Sequence, residues 1–440
     1  MADLMEEKNS YLADFARFEH GLNGRGNSWL HALRKDAFAR FGELGFPTTR
    51  DEEWRFTNIA PIARTAFKPA DPKPNLLTIS DISRYTVCEA RCTQLVFLNG
   101  FYSESLSTVK FLPKGVRIVS LASALESDRA FIEPYLAKSA SYQKNAFTAL
   151  NTAFMTDGAF VHIPPGTFLK DPVHLLFLSS GRDPVHSVPR SLIILRNDSR
   201  ASIVESYACL DKGIYFTNSV TEMLIGANSA ADHYKLQRES NDAFHVATTQ
   251  VMQERDSSYT SNSLSLGGSL VRNNINVVLN GTGADCELNG LYVTKGQQHV
   301  DNHTTIDHAQ PNGSSHELYK GILDDASSAV FNGRIVVRKD AQKTNARQTN
   351  KNLLLSKSAG INTTPQLEIL ADDVKCTHGA TIGQLNEEEL FYLRSRGIDR
   401  DSARTLLTYA FASELLRAVK IKPIQCQIDL ALLNRLSRAG

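Results

Sequence analysis

No Gly-Lys dipeptide occurs anywhere in the 440 residues, so the chain has no GxxxxGK[ST] loop to cradle phosphates and does not hydrolyse ATP by that route. Other enzyme signatures fail in turn. GTGADC lacks the third glycine of a dinucleotide fingerprint, HELYK lacks the second histidine of HExxH, and no GxSxG is present. Cysteine is scarce. The six thiols, at 88, 92, 209, 286, 376 and 426, form no CxxC and no dense framework, which argues against a disulfide scaffold. Cys88 and Cys92 form a CxxxC that reads first as buried small hydrophobes and only second as metal ligands.

An excess of either charge is missing too. Lys plus Arg number 48 against 47 for Asp plus Glu, which gives nucleic acid or an anionic membrane nothing general to bind. No apolar stretch approaches the ~18 residues that span a bilayer, so a membrane protein is not expected. The opening MADLMEEKNS carries Asp3, Glu6 and Glu7, unlike a basic-then-apolar leader or an acid-poor transit peptide. The expected location is the cytoplasm.

What is present divides into helical ends and a β-rich middle. SWLHALRKDAFARFGEL, Ser28 to Leu44, places Leu30, Leu33, Ala37 and Phe41 at helical spacing and stops at Gly45-Phe46-Pro47. In TTRDEEWRFTNIAPIAR, Thr49 and Glu52 fit a capping box, with Trp54 and Phe56 as anchors for the turn. Strand-like alternation begins near Gln94, and helical patterning returns briefly around 121–150. From Phe160 onward short β runs such as SLIILR, NINVVLNG and AVFNGRIVVR follow one another for about 170 residues, punctuated by Asn, Asp, Gly and Ser.

That punctuation recurs at Asp198, Asn228, Asp256, Gly283 and Asp325, at intervals of 30, 28, 27 and 42. A period of this length suggests stacked coils more than a sandwich or jelly roll. The expected fold is mainly β: a right-handed parallel β-helix over 93–364, with helical regions at 1–92 and 365–440 capping its ends. Near the C-terminus Asn386 fits a cap with Glu389 three residues on, for a helix ending at Gly397. A second helix before Pro423 carries Leu406, Leu407, Ala410, Phe411, Leu415 and Val419 as its apolar stripe. Such a stripe serves packing or partner docking.

Candidate chemistry concentrates in ADDVKCTHGATIGQL, Ala371 to Leu385. In an extended segment Asp372, Val374, Cys376 and His378 share one face. A thiolate and an imidazole are good ligands for iron or zinc, but two ligands leave a tetrahedral shell incomplete. As a nucleophile and base they are less convincing, because i and i+2 lie roughly 6–7 Å apart on a strand. Packing is the third reading, and spacing alone leaves all three open. His299, His303 and His308 cluster within ten residues, but on a strand they need not face the same way. The acidic pair Asp324-Asp325 reads as solvated turn residues, which counts against a β-helix enzyme acting on polysaccharide with paired carboxylates. A metal-dependent thiol enzyme using Cys376 is the other alternative.

The run PQLEILADDVKCTHGATIGQLNEEELFYLRSRGI, Pro365 to Ile398, closely resembles the C-terminal signature of the SufD family of iron–sulfur cluster assembly proteins. RDEEWRFTNIAPI resembles that family's N-terminal region, so the likeness spans nearly the whole chain. SufB-type chains carry a His-Glu-Ala motif where this one has Thr377-His378-Gly379-Ala380, and an upstream cysteine where it reads SKSAGINTTP. The resemblance implies a non-enzymatic subunit that pairs with a SufB-like chain in a heterodimer and with a SufC-like ABC ATPase, while a solenoid surface built to pair makes a homodimer possible when the chain is isolated. It implies that His378, and less firmly Cys376, join SufB's ligands in capturing iron or a transient cluster. It also implies a SufC-binding region with Glu388, Leu390, Tyr392, Arg394, Arg396, Leu406 and Phe411.

Overall fold

Side chains that alternate along ten-residue runs, broken by residues able to turn sharply, build two parallel sheets that the chain visits in alternation. The computed structural model describes residues 11, 14–20, 28–70, 77–87, 92–180 and 184–437. One sheet stacks Tyr215–Ile225, Phe244–Gln253, Leu270–Leu279, His299–His308, Ser328–Val337 and Gly360–Ile369. The other stacks Arg200–Cys209, Ala230–Arg238, Ser258–Ser265, Asp285–Thr294, Ser314–Leu323, Asn345–Leu354 and Lys375–Gly383. Neighbours within each stack pair in parallel, so each circuit adds one strand to each sheet, as a parallel β-helix requires.

The corners explain the period. Asp198, Asn228, Asp256, Gly283, Asn312 and Lys343 all take positive φ, at intervals of 30, 28, 27, 29 and 31. Each donates its backbone N–H to the carbonyl of the coil above, from Asp198 N to Ala227 O at 2.9 Å through to Lys343 N to Asp373 O at 2.7 Å. Asp325 does not belong to this column. It stacks on Gly296 at the opposite corner, where its Oδ2 accepts from Gly296 N at 2.9 Å, and this produces the anomalous interval of 42.

Between the sheets lies an apolar interior with stacked rings, Phe97 on Phe177 and Phe177 on Tyr207, each pair with centroids 4.9 Å apart. The helices cover the outer faces. Ser28–Leu44 and Ala146–Phe154 pack aromatic and aliphatic residues against Phe216, Phe244, Val246 and Leu270 of the first sheet. Arg400–Leu416 and Lys422–Ser437 lie on the second, where Ala412, Leu415, Leu416, Val419, Ile424 and Ile428 meet Tyr234, Leu264, Leu291 and Leu318. No helix among the described residues is long and apolar enough to cross a membrane.

Three expectations change. The β-helix does not stop at 364: Gly360–Ile369 and Lys375–Gly383 are full strands, and Pro365 is tolerated because its strand pairs on one side only. The C-terminal helices cover a sheet face instead of capping the end. The second helix ends before Pro423 as expected, and Pro423 sits in the first turn of a third, Lys422–Ser437, where a proline costs no hydrogen bond. Finally, Asp51, not Thr49 with Glu52, organises the N-terminal turn by accepting from Thr48 N at 2.7 Å, and Phe56 is exposed while Trp54 is buried. Cys92 is buried; Cys88 lies outside the described residues.

Candidate functional site

The two ends of the solenoid are built differently. At the N-terminal end the sheets finish in short antiparallel additions, Arg117–Ser120 and Phe101–Tyr102, which blunt further pairing. At the C-terminal end Gly360–Ile369 and Lys375–Gly383 each pair with one neighbour and present an open edge. Both strands are largely exposed, with Ile369, Leu370 and Ile382 among the uncovered apolar groups. Two long edges with apolar side chains are a template for another chain.

Cys376 and His378 sit on this open coil. They stand in register with Ala346 and Gln348, both buried, so their positions share the inward-directed face of the sheet. His378 is exposed because no further coil among the described residues covers it. Cys376 is half-buried beside Val337, Ala341, Ala346 and Val374, and burial pushes its thiol above the ordinary range. A thiol held protonated is a poor nucleophile and becomes a ligand only on losing its proton, which argues against the thiol-enzyme reading. Asp372 precedes the strand in a bend, so the alternation does not extend to it.

Beneath His378 run Gln348 and then Glu317, one coil apart. Gln348 Nε2 donates to Glu317 Oε2 at 2.7 Å, and burial pushes the Glu317 carboxyl up to about 7. Gly333 leaves room for this amide, since a Cβ there would stand 2.2 Å from Gln348 Nε2. Neither Gln348 nor Glu317 belongs to a local motif. Only their inward position under His378, read from the coil register, marks them. Among the described residues no group of three or more His, Cys, Asp or Glu is placed to hold a metal.

The other candidate residues separate. Of the three histidines, His299 bonds Ser328 Oγ at 2.7 Å and His303 faces Glu53, both on the outer face, whereas His308 points inward to Ser315 Oγ at 2.9 Å. They do not form one cluster. Asp324 is not a solvated turn residue: both of its carboxylate oxygens accept from Arg404, at 3.1 and 3.2 Å, tying the helix Arg400–Leu416 to the solenoid. On the C-terminal helices Glu388, Tyr392, Arg394, Arg396 and Leu406 are exposed and Leu390 is buried. Phe411 lies under Lys320, whose Nζ is 4.6 Å from the ring centroid. The buried stripe of Arg400–Leu416 is Ala403, Thr408, Ala412, Leu415 and Leu416, so Leu406 and Ala410 lie off it.

Comparison with known proteins agrees with this architecture. Residues 177–411 match the family model described as the SufBD core domain of the SUF system for FeS cluster assembly, and residues 5–175 match the SufBD protein N-terminal region. The chain is 38% identical over 413 residues to an iron–sulfur cluster assembly SufBD family protein of Synechocystis, covering 92% of this chain and 90% of the relative. It is 32% identical over 407 residues to the chloroplastic protein ABCI7 of Arabidopsis thaliana, covering 90% and 84%. It is 29% identical over 402 residues to the iron–sulfur cluster assembly protein SufD of Escherichia coli, covering 89% and 90%. With both family models matched end to end across the β-helix and its N-terminal region, the chain belongs to the SufB/SufD family of iron–sulfur cluster assembly proteins and is SufD-like within it.

Proposed function

We propose that this chain is a non-catalytic scaffold subunit of a cytoplasmic Suf complex, pairing through its open coil with a SufB-like chain and through its C-terminal helices with a SufC-like ABC ATPase. The observation that carries the reading is the unpaired C-terminal edge of both sheets, with His378 exposed on it. The iron or nascent cluster is cargo, held transiently by His378 and Cys376 together with ligands from the partner. ATP enters through the partner ATPase. Nucleotide-driven closure of two such ATPase subunits would move the C-terminal helices, and Lys320 and Arg404 are the ties through which that movement reaches the sheet carrying the site. Without the heterologous partner, two copies of the open edge are available to each other, which supports a homodimer.

Anaerobic co-expression with SufB-like and SufC-like partners, followed by native mass spectrometry, tests the assembly. A complex of all three chains is expected. His378→Ala should leave that complex intact and lower its cluster yield at least several-fold, read from visible absorbance per complex. A chain that remains alone or only self-paired rejects the scaffold role, and unchanged cluster yield in the variant rejects the role of His378.

A further inference from the structure

Two sequence stretches that the proposed assembly role does not use, RDEEWRFTN and HVDNHTT, meet on the outer face of the first sheet. Trp54 packs against Phe147 with ring centroids 5.3 Å apart, and the Arg272 guanidinium lies 4.0 Å from the centre of its ring. Arg272 NH1 donates to the Glu53 backbone carbonyl at 2.7 Å and to Asp301 Oδ2 at 2.6 Å. Thr57 Oγ1 donates to the same Asp301 oxygen at 2.5 Å and stands 2.9 Å from His299 Nε2. His303 completes the junction. Its Nδ1 is 3.1 Å from Glu53 Oε2 and its Nε2 is 3.0 Å from Asp301 Oδ1.

Both ring nitrogens of His303 thus face carboxylate oxygens, one on the N-terminal segment and one on the solenoid. Nδ1 is in hydrogen-bonding geometry with Glu53, whereas the Nε2 approach to Asp301 is an ion-pair contact, and only the charged imidazolium attracts both carboxylates at once. We infer that His303 is a protonation-dependent clasp, whose imidazolium bridges Glu53 and Asp301 and holds the segment carrying Trp54 on the solenoid, loosening it when the proton is lost.

The charge balance supports this. Arg272 pairs directly with Asp301, and Glu53 is compensated first by His303 and then by the more distant charges of Arg272 and Arg334, the latter itself paired with Glu368. Lys144, Asp51 and Glu52 line the same cleft. Burial and the neighbouring Arg272 charge oppose a charge on His303, but the Asp301 charge and the contacts to Asp301 and Glu53 outweigh them and raise the group above the ordinary histidine range. A raised folded value means that the clasp contributes fully below about pH 6.5, the ordinary value, and is lost as pH rises through the folded one.

The position gives the clasp a consequence. Glu53 and Trp54 form one wall of a cleft of about 490 Å³ whose floor includes Asn332 and Arg334 and reaches Gln366 on the open terminal coil. Loosening the segment therefore alters the surface next to the unpaired edge.

Hydrogen exchange of the full-length chain, corrected for intrinsic rates, tests the inference together with proton NMR titration of His303. Protection of residues 52–57 should fall about fivefold or more between pH 6 and pH 9 in the wild type. It should show no such fall in His303→Gln. Glu53→Gln removes a carboxylate whose side chain is 67% exposed and should lower the His303 titration midpoint and blunt the fall, which keeps the test decisive if His303→Gln does not fold. Equal protection at both pH values in the wild type, or an undiminished fall in either variant, overturns the clasp.

Discussion

The most consequential side chain outside the terminal coil is Glu222, and its removal can be costed. Glu222 and Arg190 form an ion pair in which both side chains are wholly buried. Glu222 Oε1 accepts from Arg190 NH2 at 2.6 Å and from Ala137 N at 2.7 Å. Its Oε2 accepts from Ser139 N at 3.0 Å, Ser139 Oγ at 2.9 Å and Ala140 N at 3.0 Å. One carboxylate therefore fastens a stretch of the helical region, including Ala137 at φ 59°, to the first sheet. In Glu222→Gln the new amide turns a donor toward other donors and leaves Arg190 buried without its counter-charge. Breaking a buried pair from one side costs about 3–5 kcal/mol, and the orphaned amides add to it, so a loss of at least about 3 kcal/mol is expected. Arg190→Met is the informative control. It leaves Glu222 with all four donors from Ala137, Ser139 and Ala140, at the expense of the Asn151 and Thr152 oxygens that Arg190 also serves, so its cost should be smaller than that of Glu222→Gln. Urea unfolding followed by protease cleavage within residues 133–145 measures both. A loss under about 1 kcal/mol for Glu222→Gln, or an equal or larger loss for Arg190→Met, would refute the reasoning.

Two further perturbations probe the interior and the helix docking. Gly290→Ala places a Cβ 2.1 Å from the Tyr319 ring, which stands beside it in register, and should cost about 2 kcal/mol or more by overpacking, seen as a lower melting temperature. The double variant with Tyr319→Ala should not lose the two single costs in full, since the ring that clashes is gone. Lys320→Met removes a buried ammonium that donates to the Phe411 carbonyl at 2.7 Å and pairs with Glu414. Losing a charged hydrogen bond worth about 1.5 kcal/mol should speed hydrogen exchange of residues 400–416 roughly tenfold. Exchange in the β core should stay unchanged, and uniform acceleration of both would argue against a local tie.

The β-helix is legible in the sequence because its corners are chemically marked. Asp, Asn and Gly recur where the backbone needs positive φ, and the interval between them counts the coils. The reading misses Asn312 and Lys343, and it places Asp325 in the wrong column, because a repeat with two corners per circuit offers two interleaved series of equal period. The C-terminal boundary is placed too early because Pro365 lies inside an edge strand, which tolerates it, while Asp372 and Asp373 form the bend that leads into one more strand. The buried pairs Arg190–Glu222 and Arg272–Asp301 carry no local mark, since their partners come from coils some thirty residues apart and from segments more than eighty residues away.

Cys376 and His378 stand out in the sequence by their spacing, which leaves ligation, a nucleophile pair and packing open; what the spacing does not show is that the coil holding them is an edge coil. Every inner coil has neighbours on both sides, so the inward residue of one strand meets an in-register residue above and below. His378 has Gln348 on one side and, among the described residues, no strand on the other. Under the proposed pairing, a strand added to Lys375–Gly383 would bring its own side chains to roughly 4.8 Å from His378, the ordinary spacing of paired strands. An imidazole or thiolate bonds a metal ion at about 2.0–2.3 Å, so two ligands facing each other across that gap can share one ion without moving the backbone. The strand spacing that elsewhere closes the core then becomes, at the open edge, a spacing suited to holding metal between two chains.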